Sequence, residues 1–344
     1  MQFAVPRKGL SPPPYAPTSL LTFQRRKQLK AFFILSGALL AVFFLLSQLF
    51  YTSTGTAAAP IGAPSVVIVT LLDRSLCSDT YLQKIIKNRE DYAQRHGYTN
   101  FFANLSDYNS YVGNSPRSWS IIPAVRHAMA LHSSATYFFH LDAHALFMNP
   151  SESLEARLLN KYRLESLMRR DIPVVPPDSI IKTFSHLRPQ DIDLIATNDA
   201  EDLSTGSFVL RQGDFARFFL DTWFDPLYRS YNFFARAETR SLVCYPYALF
   251  ILYAFSRALR LTSRPVQQEH IVQWHPSVLA RMALIPQRVI NSYSEDSTRA
   301  AVDGTYKDGD LVIRFFGCNT DPKRNCEREM EPYYILWAKK VKIE

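Results

Sequence analysis

Ser65–Asp73, "SVVIVTLLD", is an unbroken run of aliphatic and β-branched residues, the pattern of a strand buried on both faces. The period then changes. In "SDTYLQKIIKNREDYAQRHGY", Leu82, Ile85, Ile86, Tyr92 and Ala93 recur near one helical face, Ser78 stands where a cap belongs, and Gly97 ends the run. "TNFFANL" (Thr99–Leu105) reads as a second strand, "PAVRHAMALH" (Pro123–His132) as a helix, and "TYFFHLD" (Thr136–Asp142) as a third strand. This β-α-β-α-β order predicts an α/β fold with a mostly parallel central sheet and crossover helices. Downstream, "NPSESLEARLLN" reads as a turn and a helix capped by Ser151, and "STGSFVLR" as a short strand entered through Gly206. "DFARFFLDTWFDPLY" and "YPYALFILYAFSRALRL" follow a helical period, the latter too short for a membrane span and so expected in the core. "LIPQRVINSY" and "GDLVIRFFGC" supply two further short strands, and no internal repeat is visible.

Charge divides the chain. Of its 344 residues, 1–30 hold six basic side chains and no acid, leaving 33 bases against 31 acids elsewhere. The body is near neutral, so the net charge of +8 gives no support to nucleic-acid binding. The basic tail leads into "AFFILSGALLAVFFLLSQLFY" (31–51), an uncharged run of about the 20 residues that cross a bilayer as a helix. Arg25, Arg26, Lys27 and Lys30 precede it and no base follows until Arg74, so the N-terminus is expected in the cytoplasm and the body in the lumen. A cleaved signal peptide fits less well, because the apolar run is long and begins late. Four segments are expected: a cytoplasmic tail (1–30), a signal anchor (31–51), a proline-containing stem (52–64) and a lumenal domain (65–344).

Asp142 ends its predicted strand, and in parallel sheets ligands bind beyond the carboxyl ends of strands. His140, Asp142 and His144 alternate, but residues i and i+4 of a strand lie about 13 Å apart, too far to share one metal. Cys318 and Cys326 flank the turn-rich "NTDPKRN" and are expected to close a small loop; Cys77 and Cys244 either form a second bridge or stay free. The spacings do not suit zinc. Asn104-Leu-Ser106 is one glycosylation acceptor.

Six segments, in order, resemble glycosyltransferase family 34, the group of the fungal Golgi α-1,6-mannan polymerase subunits: "KNREDYAQRHGY", "WSIIPAVRHAM", "LDAHALFMNP", "LSTGSFVLR", "LIPQRVINSY" and "GDLVIRFFGC". The resemblance implies a GT-A-type nucleotide-sugar transferase fold, in which an Asp-x-Asp at the strand end holds Mn²⁺ against the donor diphosphate. It implies a Golgi mannosyltransferase that transfers mannose from GDP-mannose to the mannan of N-glycans with retention, working with other mannosyltransferase subunits in a hetero-complex. It assigns Thr70, Asn88, Arg89, Asp142, Gly206 and Gly317 to the nucleotide sugar, and Asp199 and Arg211 to the acceptor side.

The chain departs from that pattern at the chemistry. His144 stands in place of the second metal aspartate, Arg314 in place of a metal-ligating histidine, Ile121 in place of lysine and Ser204 in place of asparagine, and no Glu-Gln pair falls near Tyr245–Tyr247. Asp142, His144, Arg314 and Asp199 are the catalytic candidates. Asp142 and His144 are the metal candidates, His144 as a neutral imidazole. Arg314 is always cationic and cannot be a ligand. Two readings follow: a transferase with Arg314 in the metal's role, or a catalytically impaired scaffold subunit.

Overall fold

The computed structural model describes residues 66–174, 181–199, 203–226, 229, 276–297 and 303–343, together with Ser36. The chain divides into two compact units, 1–57 and 58–344, and Ser36, in a helix, is the described residue of the first. The expected tail and stem, the anchor apart from Ser36, the apolar run 245–261 and Cys244 lie outside the described residues. Among those described, no helix is long and apolar enough to cross a membrane.

β1 (Val66–Leu72) is buried at every residue and lies inside a six-stranded sheet of order β2-β1-β3-β6-β5-β7. The other strands are β2 (Thr99–Asn104), β3 (Tyr137–Leu141), β5 (Leu194–Asn198), β6 (Leu203–Arg211) and β7 (Met282–Ile285). β1 pairs in parallel with β2 and β3, and β5 with β7, but β6 runs antiparallel to both β3 and β5. The sheet is therefore mixed: three of its five strand pairs are parallel, as expected of a mostly parallel sheet, and β6 alone runs against the others. A second sheet, β4-β9-β8, joins β4 (Ala145–Phe147), β9 (Val312–Arg314) and β8 (Ser292–Tyr293).

Two-residue alternation sends each face of β1 into a different core. Val67, Val69 and Leu71 pack with Phe138, Leu210, α2 (Ile121–Leu131) and α4 (Asp214–Trp223), while Val66 and Ile68 pack with Phe139, Val209 and Tyr92. Tyr92 belongs to α1 (Asp79–His96), which is capped as its sequence predicts. The Ser78 hydroxyl accepts the Tyr81 N–H at 3.2 Å, and Gly97 closes the helix at φ 69°. Its other face meets α5 (Cys326–Ile343) across Leu82, Ile85, Leu146 and Trp337.

Ser151 is not a cap. Its hydroxyl donates to Asn149, and Ser153 instead accepts the Ala156 N–H at 3.1 Å, ahead of a single π-helical turn, Glu155–Leu159. A short helix, α3 (Lys161–Leu167), follows. β5 and α5 have no counterpart in the sequence reading. Pro332 sits inside α5, where a missing N–H ordinarily argues against a helix, and α5 intersperses charged and apolar residues.

Asn88, on the buried face of α1, ties that helix to the second sheet. Its amide donates to the Phe147 carbonyl at 2.9 Å and accepts the Phe147 N–H at 2.8 Å. Replacing Asn88 by Ala strands both backbone groups, and we expect it to cost about 3 kcal/mol. Urea unfolding should show a lower midpoint with an unchanged slope.

Candidate active site

β1 and β3 end side by side, and beyond their carboxyl ends lies a cavity of about 600 Å³. Leu71 and Asp73 extend into it from β1, and His140 and Asp142 from β3. Arg314–Cys318 form the facing wall with Cys326. Cys318 and Cys326 are joined by a disulfide, with Cα atoms 5.0 Å apart. The Cys77 thiol is free, and burial together with Asp73, Asp142 and Glu327 pushes it up to about 11, so it is no ready nucleophile at neutral pH.

The centre of the cavity is an ion pair. Arg314 Nε and Nη2 both donate to Asp142 Oδ2, at 3.0 and 2.8 Å, and Nη1 reaches Ser204 Oγ at 3.2 Å and Asn291 Oδ1 at 3.5 Å. The other carboxylate oxygen accepts the His144 N–H at 3.1 Å. Burial works against charge on Asp142, but the Arg314 charge overrides it and holds the carboxyl well below the usual carboxylate range. The guanidinium lies against Gly206, where an added Cβ would come 2.0 Å from Cζ. Phe316 lies 5.2 Å below it and stacks on Tyr293.

His144 Nδ1 is 2.8 Å from the Tyr81 hydroxyl, and burial keeps the ring neutral. Its ligand atom and the sulfurs of Cys318 and Cys326 cluster within 4.8 Å, but those sulfurs are spent in the disulfide and are not thiolates. Asp142 is held by three N–H donors, and the other carboxylates of the lining, Asp73 and Glu327, are engaged by Ser75 and by Ser78 and Thr80. With a neutral imidazole and a disulfide beside them, the set does not fit a hard divalent cation, which takes several oxygen ligands.

The other expected residues divide clearly. Gly206 and Gly317 line the cavity, as do Ile121 and His144. Thr70, Asn88 and Arg89 are fully buried and lie outside its lining. Arg89 Nη2 donates to the carbonyls of Asp142 at 3.0 Å and Ala145 at 2.9 Å, so it holds the turn from behind, although burial lowers its guanidinium to about 9. Asp199 reaches the site through the Tyr293 hydroxyl, which donates to it at 2.9 Å. Arg211 pairs with Asp193 and lies opposite Tyr137, at the end of β3 remote from the cavity. Asn104 ends β2 with its side-chain oxygen accepting from Arg74 at 2.8 Å. Tyr81, Asn291 and Tyr293 are not singled out by the sequence as site residues, since no local pattern ties them to His144, Arg314 and Asp199, which lie 63, 23 and 94 positions away.

His140 is 2% exposed beside Phe208, and neither ring nitrogen has a hydrogen-bond partner among the described residues. Burial lowers it to about 4, against 6.5 in the open chain. Between those values the unfolded chain binds the proton that the fold refuses, so stability should fall as pH drops from 6.5 to 4. Thermal melts of His140→Phe should lose that slope. Gly206→Ala should displace the guanidinium and uncouple the ion pair, costing about 3 kcal/mol in chemical denaturation.

Residues 62–248 and 265–327 match the galactosyl transferase GMA12/MNN10 family. An uncharacterized alpha-1,2-galactosyltransferase of Schizosaccharomyces pombe is 33% identical over 261 residues, covering 76% of this chain and 69% of the relative. Probable alpha-1,6-mannosyltransferase MNN11 of Saccharomyces cerevisiae is 27% identical over 287 residues, covering 79% of this chain but 62% of its own length. Among solved structures, a glycosyltransferase involved in the glycosylation of the major capsid of PBCV-1 covers 79% of this chain at a TM-score of 0.44 and 12% identity. The family match runs through β1, the Asp142 turn, β6 and the Arg314 strand, and on that evidence the chain belongs to the galactosyl transferase GMA12/MNN10 family.

Proposed function

We propose that the chain is a glycosyltransferase that draws a hexose from a nucleoside diphosphate sugar held beyond the ends of β1 and β3. The observation that carries this reading is the Asp142 carboxylate at the cavity, on the turn after β3 and within the matched region. The donor assigned first is GDP-mannose, and the reaction is α-1,6 extension of N-glycan mannan with retention, in line with the similarity to MNN11. The chain would act as a single-pass Golgi membrane protein anchored through residues 31–51, in a complex with other mannosyltransferase subunits. A galactosyl donor is the second reading, favoured by the higher identity to the S. pombe relative.

The cavity sets the electrostatic terms for either donor. Arg117, Arg314 and Arg324 line it, and so do Asp73, Asp142 and Glu327. Arg324 is committed to Glu329, at 2.8 and 2.6 Å, and Arg314 is engaged by Asp142, Ser204 and Asn291, so Arg117 is the less committed guanidinium and Arg314 would act mainly through its charge. Arg117 is the looser of the two, 45% exposed and 3.5 Å from Asp73. Charge developing on the departing diphosphate would be stabilised by these prepositioned guanidinium groups.

Calorimetric titration of the full-length chain in detergent with GDP, GDP-mannose, UDP and UDP-galactose tests the assignment. We expect GDP-mannose to bind and Arg117→Ala to weaken it by about 1 kcal/mol or more, as for a charged hydrogen bond. Preference for UDP-galactose would move the chain to the galactosyl reading. Absence of binding by all four would favour a scaffold subunit whose partner supplies catalysis.

A further inference from the structure

Resting on the reading of the cavity as a donor site, we infer that Arg314 is itself the cation of this site. It is tethered to the chain where the family pattern implies a bound metal, and the cavity receives diphosphate oxygens without a divalent ion.

The geometry leaves little room for any other arrangement. A divalent cation bound by oxygen ligands sits about 2.0–2.6 Å from them. Asp142 Oδ2 already accepts from two guanidinium nitrogens at 3.0 and 2.8 Å, and Oδ1 accepts the His144 N–H. A metal on that carboxylate would face the Arg314 charge within one contact distance, and position 144 offers it an imidazole engaged with Tyr81 rather than a second carboxylate.

The guanidinium is also a built feature of the fold. The Arg314 side chain is 10% exposed, lies on a glycine whose Cβ it excludes, and is gripped by Ser204, Asn291 and Phe316. Those contacts span β6, the segment before β8, and the residues after β9, so the seat is made by the tertiary structure. The charge is conserved in sum. One carboxylate with one guanidinium has the same net charge as two carboxylates with a divalent cation, so the departures at 144 and 314 compensate each other. Asp142, Ser204 and Asn291 engage four of the five guanidinium N–H groups, so Arg314 would meet phosphate oxygens through its charge and the remaining N–H.

Manganese binding to the full-length chain, followed by the loss of the free Mn²⁺ electron paramagnetic resonance signal, tests this without reference to activity. We expect no stoichiometric uptake by the wild type, with or without GDP. The double variant H144D/R314H should gain Mn²⁺ affinity by more than about 10-fold, the scale on which metal sites respond to their surroundings. Arg314→Ala, which leaves Asp142 without its partner, should have a melting temperature that Mn²⁺ raises while the wild type's stays fixed. This keeps the inference testable if the double variant does not fold. Stoichiometric Mn²⁺ uptake by the wild type that Asp142→Asn abolishes would overturn the inference. Nucleotide that binds only with Mn²⁺ would also overturn it, while leaving the donor reading intact. Nucleotide that binds equally in EDTA would support both, and no nucleotide binding with or without Mn²⁺ would end the donor reading and, with it, the claim that the cavity receives diphosphate oxygens.

Discussion

The ion pair between Asp142 and Arg314 is the constraint on which the cavity depends. It joins the end of β3 in the main sheet to β9 in the small one, across 172 residues of sequence. Two partly buried charges are tolerated there because each answers the other and the remaining donors find Ser204 and Asn291. Remove either partner and the other stands desolvated and uncompensated. Gly206, Ser204 and Asn291 follow from this requirement, since each either makes space for the guanidinium or satisfies one of its N–H groups.

The pair would be useless on a turn that moved. Asn88 and Arg89, adjacent on α1, hold that turn from the side away from the cavity, one through the Phe147 backbone and the other through the carbonyls of Asp142 and Ala145. α1 is fixed in turn by its Ser78 cap and the αL glycine that ends it. Asn88 and Arg89, expected at the nucleotide sugar, therefore lie one layer behind the cavity lining. Their chemistry serves the position of Asp142, which is a reason for a buried polar pair to persist in an otherwise apolar helix face.

Chemically, the cavity is a place of fixed charge and neutral titrants. Asp142 is held ionised by Arg314, while His140 and His144 are kept neutral by burial and the Cys77 thiol is pushed up. None of these supplies a general base poised near neutrality. That suits a reaction driven by charge stabilisation at a departing diphosphate more than one driven by proton abstraction.

The sequence alone determined the elements that local physics controls. The continuous apolar run of β1, the 3.6-residue period of α1 with Ser78 and Gly97 at its ends, and Asp142 at the close of β3 all depend on residues within a few positions of one another. It also exposed the exchange of His144 and Arg314 for residues of the family pattern, because those are identities at fixed places in a motif. The antiparallel course of β6 was hidden, since a buried strand is apolar in either direction. So were β5, whose short apolar run carries no direction of pairing, and α5, whose Pro332 breaks the local signal. Only the tertiary structure brought Arg314 onto Asp142, set Arg89 behind the turn and moved Arg211 to the far end of the sheet. Contacts across 172 residues arise from how strands are ordered in a sheet, and no local pattern encodes that order.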